Sequence, residues 1–388
     1  MKIKITGWML CLVLLLSLAG CQKQDSPSGK KDSTSQTTSG SQNFAEDVAS
    51  ENEQKKPVAA ISMPSQSDEK WISAAAFMNT SLTDAGFRVS VEFAEDDAQK
   101  QIRQLKKFVK QKAACLIVAP VPSADLSEPL KKAQKAKIPV ISYERLATGT
   151  DAVDYYAGFD NLEAGRQIGE YIVEEKGLDK KVVSGNASAA CTIEFFMGDP
   201  QDYSAKMVHQ GILEILQPYL DSGRLVCKSG RIRFEDTAIL YEAEDTAQKN
   251  CEALLDANYL DSHLDIACTS SDFLAYGVRT ALENRDYTKG NDWPLVTGQD
   301  AQLDAVQDIK AGYQTMSVFR NTRTLAAKCA EMAIDCINGK IPTTNDQEQY
   351  KKGKKAIPSY LCNTQVVDKE NYKEVLIDSG HYTKSQLQ

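Results

Sequence analysis

Catalysis needs nucleophiles, proton carriers or metal ligands at matched spacings, and this chain offers no such set. Its three histidines, His209, His263 and His381, are scattered without nucleophile partners. No Walker loop, nucleophile elbow or metal-ligand motif is present. The ten cysteines have no disulfide-framework spacing. Cys329 and Cys336 fall seven apart on an expected helix, about 10 Å along its axis, too far to bridge directly. Cys115 and Cys268 sit inside apolar runs, as small buried hydrophobes do. What remains is the chemistry of recognition, carried by carboxylates, guanidinium groups and an aromatic ring at the ends of apolar runs. The reading is therefore of a protein that binds and does not catalyse, with no cofactor and no metal. A net charge of -8 over 388 residues gives no electrostatic reason to approach nucleic acid.

One thiol does have a chemical role. Lys2 and Lys4 precede an apolar run from Trp8 to Leu16, and Leu18-Ala19-Gly20-Cys21 follows, the layout of a secretory signal. The run is too short to span a bilayer, and its end looks like a bacterial lipobox, in which the Cys thiol takes a diacylglycerol thioether. Cys21 would become the mature N-terminus. Residues 22–56 are rich in Ser, Thr, Gln, Lys and Gly; with so few apolar side chains they read as a disordered tether.

From Pro57 onward, short apolar runs alternate with segments of helical period, the signature of βα units and parallel sheets. Strands are expected at Val58 to Met63, Phe87 to Phe93, Cys115 to Ala119, Pro139 to Tyr143 and Tyr155 to Phe159. A second series follows: Thr192 to Met197, Arg224 to Lys228, Asp265 to Thr269, Leu295 to Thr297 and Thr315 to Phe319, with a last strand at Ile357 to Leu361. Helices lie between them, among them Asp68 to Ala85, Gln201 to Leu216 and Thr322 to Ile337, the last closed by Asn338-Gly339. The result is an α/β chain of two lobes.

Several short motifs then stand in order: Met63-Pro64 with Glu69-Lys70-Trp71, Tyr143-Glu144-Arg145-Leu146, Asp154 through Asn161, Gly198-Asp199-Pro200, Pro218 through Gly223, Gly298-Gln299-Asp300-Ala301, Gln314 through Arg320, and Ile357-Pro358-Ser359. In this order they resemble the periplasmic sugar-binding proteins of type I, closest to the xylose-binding and multiple-sugar-binding members, over roughly residues 57 to 380. The resemblance implies two Rossmann-like lobes joined by three hinge crossings, near Phe159-Asp160, Phe319-Arg320 and Ile357-Pro358. The lobes are then 57–159 plus 320–357 and 160–319 plus 358–388. Strand-end loops of both should face one cleft.

A pyranose has apolar C–H faces and a rim of hydroxyls, so its site needs an aromatic ring and bidentate polar groups. The resemblance assigns Lys70, Trp71, Glu144, Arg145, Asp160, Asn161, Tyr203, Ser271, Asp272, Asp300 and Arg320 to ligand binding. Asp160 and Asn161 could instead simply cap the helix starting at Leu162, a reading that their position at an expected hinge disfavours. The chain departs from the pattern at Glu144 (usually Asp), Tyr203-Ser204 (usually Asn-Asn) and Ser271 (usually Asn). A Trp expected after Ser229-Gly230 is missing, with Phe234 or Tyr241 as candidate substitutes; Arg320 stands where Lys or Gln is usual. Tyr203 is expected to narrow the cavity. The ligand expected is an uncharged monosaccharide of the xylose, arabinose, galactose or glucose kind.

The implied function is that of an extracytoplasmic solute-binding lipoprotein, a monomer anchored to the outer face of the cell membrane (periplasmic in a Gram-negative source). It would deliver its sugar to ABC-transporter permease subunits. The alternative is a sugar sensor docking on a chemoreceptor or sensor kinase. A transcription regulator built on the same core would open with a DNA-binding helix-turn-helix where this chain has Cys21. If Cys21 carries lipid, Cys21→Ala will leave an uncut precursor and abolish partitioning into the detergent phase. Unchanged processing and partitioning would contradict the assignment.

Overall fold

The computed structural model describes residues 55–121, 124–179, 190–352 and 355–387. The signal and lipobox call, with the tether up to residue 54, lies outside them. Among the described residues no helix is long and apolar enough to cross a membrane.

The first sheet takes six parallel strands. These are β1 (Val58–Met63), β2 (Arg88–Phe93), β3 (Cys115–Val118), β4 (Val140–Tyr143), β5 (Tyr155–Phe159) and, from far along the chain, β13 (Ser359–Cys362), in the order β13-β5-β4-β3-β1-β2. β3 and β4 are buried throughout, as parallel strands covered on both faces must be. The period of two along β1 assigns the faces. Ala59, Ile61 and Met63 point toward α1 (Glu69–Asp84) and α10 (Thr322–Ile337). Ala60 points instead toward α2 (Ala98–Lys110) and α3 (Ser127–Lys135).

The second lobe is built on β6 (Cys191–Phe196), β7 (Leu225–Val226), β8 (Ile266–Thr269) and β9 (Leu295–Val296), ordered β7-β6-β8-β9. One face is covered by α4 (Asn161–Glu175) and α5 (Tyr203–Asp221), the other by α7 (Glu244–Asn258) and α8 (Asp272–Asn284). The four-residue α6 (Phe234–Thr237) precedes α7, and α9 (Leu303–Ala311) packs beside β10 (Met316–Phe319). β10 pairs antiparallel with β14 (Gln365–Asp368).

The chain leaves the first sheet after Phe159 and returns after Phe319, when α10 packs on α1. The third passage differs from the expectation. Cys362 pairs with Phe159 and the Pro358 carbonyl accepts from the Tyr156 N–H, so Ser359–Cys362 completes the first sheet and does not belong to the second lobe. The passage falls at Asn363-Thr364. Pro358 has no N–H to give, so it ends the preceding segment and the ladder begins after it. Two further pieces went unread in the sequence. The hairpin β11 (Lys351–Lys352) and β12 (Lys355–Ala356) follows Tyr350, which is buried under the first sheet. The expected tail contains β14 and a helical turn at Lys373–Asp378.

The eight described cysteines are all unbridged, and five of them are buried.

Helices α4 and α5 approach through glycines. A Cβ on Gly165 would lie 2.0 Å from the Val208 carbonyl oxygen, and one on Gly211 would lie 2.1 Å from that of Leu162. Neither backbone can yield without parting the helices. Gly211→Ala is therefore expected to destabilise the protein by about 1–3 kcal/mol, read as a lower denaturant midpoint at unchanged slope. A midpoint within error of wild type would contradict this packing.

Candidate functional site

Turn chemistry places the site. Four helices that follow strand ends begin with a side chain that accepts a helical N–H, the ordinary N-cap arrangement. Asp68 accepts from Lys70, Asp160 from Glu163, Asp202 from Ser204, and Ser271 from Leu274. The residues beside these caps converge between the lobes, on a cavity of about 30 Å³ lined among others by Lys70, Glu144, Arg145, Asp202, Ser204, Glu242, Ser270, Gln299, Asp300 and Arg320. A groove of about 760 Å³ shares Lys70, Asp300 and Arg320 with it and runs along α1 to Phe273, His381 and Tyr382.

Arg320 is the centre of the cavity wall. It is 8% exposed, and its Nε lies 2.6 Å from Asp300 Oδ1 while one terminal nitrogen lies 3.5 Å from both Glu144 Oε1 and Asn161 Oδ1. Burial alone would raise the Asp300 pKa, but Arg320 and Lys70 outweigh it and hold the carboxyl at about 2. Burial would likewise lower Lys70, but Asp300, Glu144 and Asp68 keep its ammonium protonated. Lys70 Nζ is 3.7 Å from Asp300 Oδ2 and Arg145 Nε is 3.4 Å from Asp202 Oδ2, so both ion pairs join one lobe to the other.

Backbone strain marks the loops that deliver these groups. Glu144 sits at φ +58° and Asp300 at +97°, conformations that a side chain other than glycine adopts at a cost. The Glu144 loop is held by the Tyr156 hydroxyl, which donates to the Glu144 carbonyl at 2.6 Å, and by Ser142, which donates to the Arg145 carbonyl. The Asp300 N–H donates to the Val318 carbonyl.

Of the residues assigned from the sequence, Lys70, Glu144, Arg145, Asp300 and Arg320 meet at the cavity. The others serve it from behind. Trp71 is buried against Tyr143, with Lys70 Nζ 5.0 Å and Arg145 Cζ 5.2 Å from its ring centroid. Its ring thus lies beneath two cations. Asn161 braces Arg320 and donates to the Tyr350 hydroxyl. Asp160 caps α4 and accepts from Gln349 Nε2. Tyr203 lies 6.1 Å from Tyr350, centroid to centroid. There it packs beside the first lobe's core and does not narrow the cavity. Ser271 caps α8. Asp272 is fully buried, accepts from Gln314, Ser317 and the Gln302 N–H, and burial pushes its pKa up to about 7 against those bonds. It ties the Asp300 loop to β10.

Neither proposed aromatic substitute reaches the site. Phe234 is in the second core against His209, and Tyr241 is 69% exposed. Its neighbour Glu242 lines the cavity instead, as do Asp202, Ser270 and Gln299; the sequence reading assigned none of them. Gln299 was within a quoted motif, and Asp202 fell inside the expected helix Gln201 to Leu216, whereas it caps the helix that starts at Tyr203.

Four buried atoms lining the cavity, Glu144 Oε2, Ser204 Oγ, Ser270 Oγ and Gln299 Oε1, have no hydrogen-bond partner among the described residues. Glu144 Oε2 is 3.9 Å from Arg145 Nε, beyond hydrogen-bond reach. Each such atom costs about 1–3 kcal/mol unless something satisfies it, and a molecule rich in hydroxyl donors would do so. Among the described residues no group of three or more His, Cys, Asp or Glu could hold a metal ion.

Comparison with known proteins identifies the family and the fold. Residues 59–341 match the periplasmic binding protein domain model. The chain is 35% identical over 335 residues to a multiple sugar-binding periplasmic protein of Azospirillum brasilense, covering 86% of this chain and 92% of that one. It is 29% identical over 303 residues to the D-xylose-binding periplasmic protein of Escherichia coli, covering 78% and 84%. An ABC-transporter solute-binding protein of Clostridium phytofermentans, solved with bound β-D-glucose, superposes with a TM-score of 0.79 at 37% identity, covering 85% of this chain and all of that one.

Removing the Arg320 guanidinium would leave Asp300 and Glu144 buried without it. Arg320→Met is expected to cost roughly 3–5 kcal/mol of stability at neutral pH, read by denaturant unfolding. The folded pKa of Asp300 lies below its ordinary 3.8, so its contribution is present in full above that value and is lost as pH falls from about 4 toward 2. That acid limb should vanish in the variant. A variant as stable as wild type, or one with the same acid limb, would refute the central role of Arg320.

Proposed function

The chain belongs to the periplasmic binding protein family, whose members bind solutes and do not transform them, and from that premise we propose that it captures an aldose monosaccharide between its lobes for an ABC-transporter permease. The observation that carries the ligand class is the set of unpaired buried atoms on Glu144, Ser204, Ser270 and Gln299, set among the Lys70, Arg145 and Arg320 cations. Vicinal hydroxyls both donate and accept, so one sugar ring can satisfy the carboxylate and amide oxygens while accepting from the guanidinium groups. Cys21 would hold the protein at the membrane, and the segment after it would let the folded body move about that anchor.

A volume of about 30 Å³ admits roughly one water molecule, so a sugar enters only if the lobes part. The pairs that join them, Lys70 with Asp300 and Arg145 with Asp202, must open, and the three chain passages supply the hinge. Ligand hydroxyls then take the place of part of that network as the lobes close again.

Calorimetric titration of the mature chain carrying Cys21→Ser against D-glucose, D-xylose, D-galactose and L-arabinose tests the reading. At least one should bind, and Arg145→Ala should weaken it by about ten- to a hundredfold, the equivalent of one charge-assisted hydrogen bond. Asp300→Ala should do the same. No binding by any aldose, or binding unchanged in both variants, would refute the assignment.

A further inference from the structure

Glu242 has no counterpart in the sequence-based site, where the same stretch was expected to supply an aromatic ring. Its placement is imposed by its surroundings. Tyr241 and Glu242 are consecutive left-handed residues, at φ +58° and +51°, and neither is glycine. The turn is pinned by Asp199, a buried carboxylate that accepts the Tyr241 N–H at 2.7 Å. The carboxylate of Glu242 lies against Gly198, where an added Cβ would come within 2.6 Å of Glu242 Oε1. A larger residue at 198 would displace it. Strain held by a buried hydrogen bond and a glycine-sized gap is the pattern of an aimed functional group.

Charge is what Glu242 changes. The cavity is lined by three cations, Lys70, Arg145 and Arg320, and by four carboxylates, Glu144, Asp202, Asp300 and Glu242. The first three carboxylates each lie within 4.0 Å of a cation: Asp300 with Arg320 and Lys70, Glu144 with Arg320 and Arg145, Asp202 with Arg145. Glu242 has no hydrogen bond or ion pair of its side chain among the described residues. Burial raises its pKa, and Asp300 and Asp202 add to the rise while Lys70 and Arg145 oppose it. Four nine-tenths-buried side chains have unpaired atoms in the cavity; the Ser204 and Ser270 hydroxyls can donate or accept, whereas Glu144 Oε2 and Gln299 Oε1 can only accept. One surplus negative charge and two orphan acceptors call for a ligand that donates more than it accepts.

Resting on the sugar-clamp reading, we infer that Glu242 makes the cleft discriminate by ligand charge, favouring an aldose that carries a protonated amino group over its neutral parent and rejecting the corresponding uronate. An ammonium brings three donors and a positive charge, and a half-buried carboxylate with no ion pair of its own gains most from both. A uronate adds a fifth carboxylate to a site that already has too many.

Titrate the mature Cys21→Ser chain at pH 6.5 with two matched sets: D-glucose, D-glucosamine and D-glucuronate, then D-galactose, D-galactosamine and D-galacturonate. In at least one set the amino sugar should bind about tenfold more tightly than the neutral sugar, and the uronate about tenfold more weakly. Added salt should narrow the amino sugar's advantage and leave neutral binding unchanged. In Glu242→Gln, with its fold checked by thermal melting, the order should collapse to within about threefold while the neutral sugar still binds. A neutral sugar that binds as well as its amino analogue in wild type overturns the inference and leaves the clamp reading standing. So does a preference that survives Glu242→Gln. Binding by none of the six overturns the inference, and if D-xylose and L-arabinose fail as well it overturns the clamp reading too. Should Glu242→Gln fail to fold, the wild-type ranking and its salt dependence decide alone.

Discussion

The guanidinium of Arg320 stands where the chain passes back from the second lobe to the first. It holds Asp300 from the second lobe's strand-end loop, Glu144 from the first lobe's, and Asn161 at the start of α4. Planar and permanently charged, it can serve three oxygens in different directions. An arginine 8% exposed is tolerable only because those oxygens are present, and the carboxylates are tolerable only because the arginine is. The strained turns at Glu144 and Asp300 follow from this mutual dependence. Each aims a carboxylate at the same cation, and each is held by neighbouring groups: the Tyr156 hydroxyl, the Val318 carbonyl, and the buried Asp272 that fixes the Gln302 N–H.

Supporting residues divide cleanly from contacting ones. Trp71 carries cations on its ring, Tyr203 and Tyr350 pack together between the lobes, and Asp160 ties α4 to Gln349. None of these faces the cavity, yet each fixes where a charged group points or how the two lobes meet. The polar network is accordingly concentrated at the passages between lobes, and the apolar clusters lie within each lobe.

Much of the architecture was legible because its causes are local. Runs such as Cys115–Val118 and Val140–Tyr143 are apolar at every position, which only a sheet covered on both faces explains. The Asp160 cap begins its helix by chemistry visible in the sequence. Third-passage geometry was not legible, because Pro358 and four following residues could pair with either sheet and only the ladder to β5 decides. Glu242 escaped for a different reason. A left-handed turn at two residues other than glycine has no sequence signature, and its cause, the Asp199 carboxylate, is 42 residues distant. Trp71 was read as a ring against a ligand face, and the two cations over it, Lys70 and Arg145, come from packing that pattern alone does not show.

The central claim is that sugar hydroxyls complete the buried polar network between the lobes. A crystal structure of the mature chain grown with whichever aldose binds in calorimetry tests it most directly. The account predicts a sugar ring between the lobes, with hydroxyl oxygens within hydrogen-bond distance of Glu144 Oε2 and Gln299 Oε1 and in contact with the Arg145 and Arg320 guanidinium groups. A sugar seated elsewhere, or one bound in the cleft while both of those oxygens stay unpaired, would contradict it.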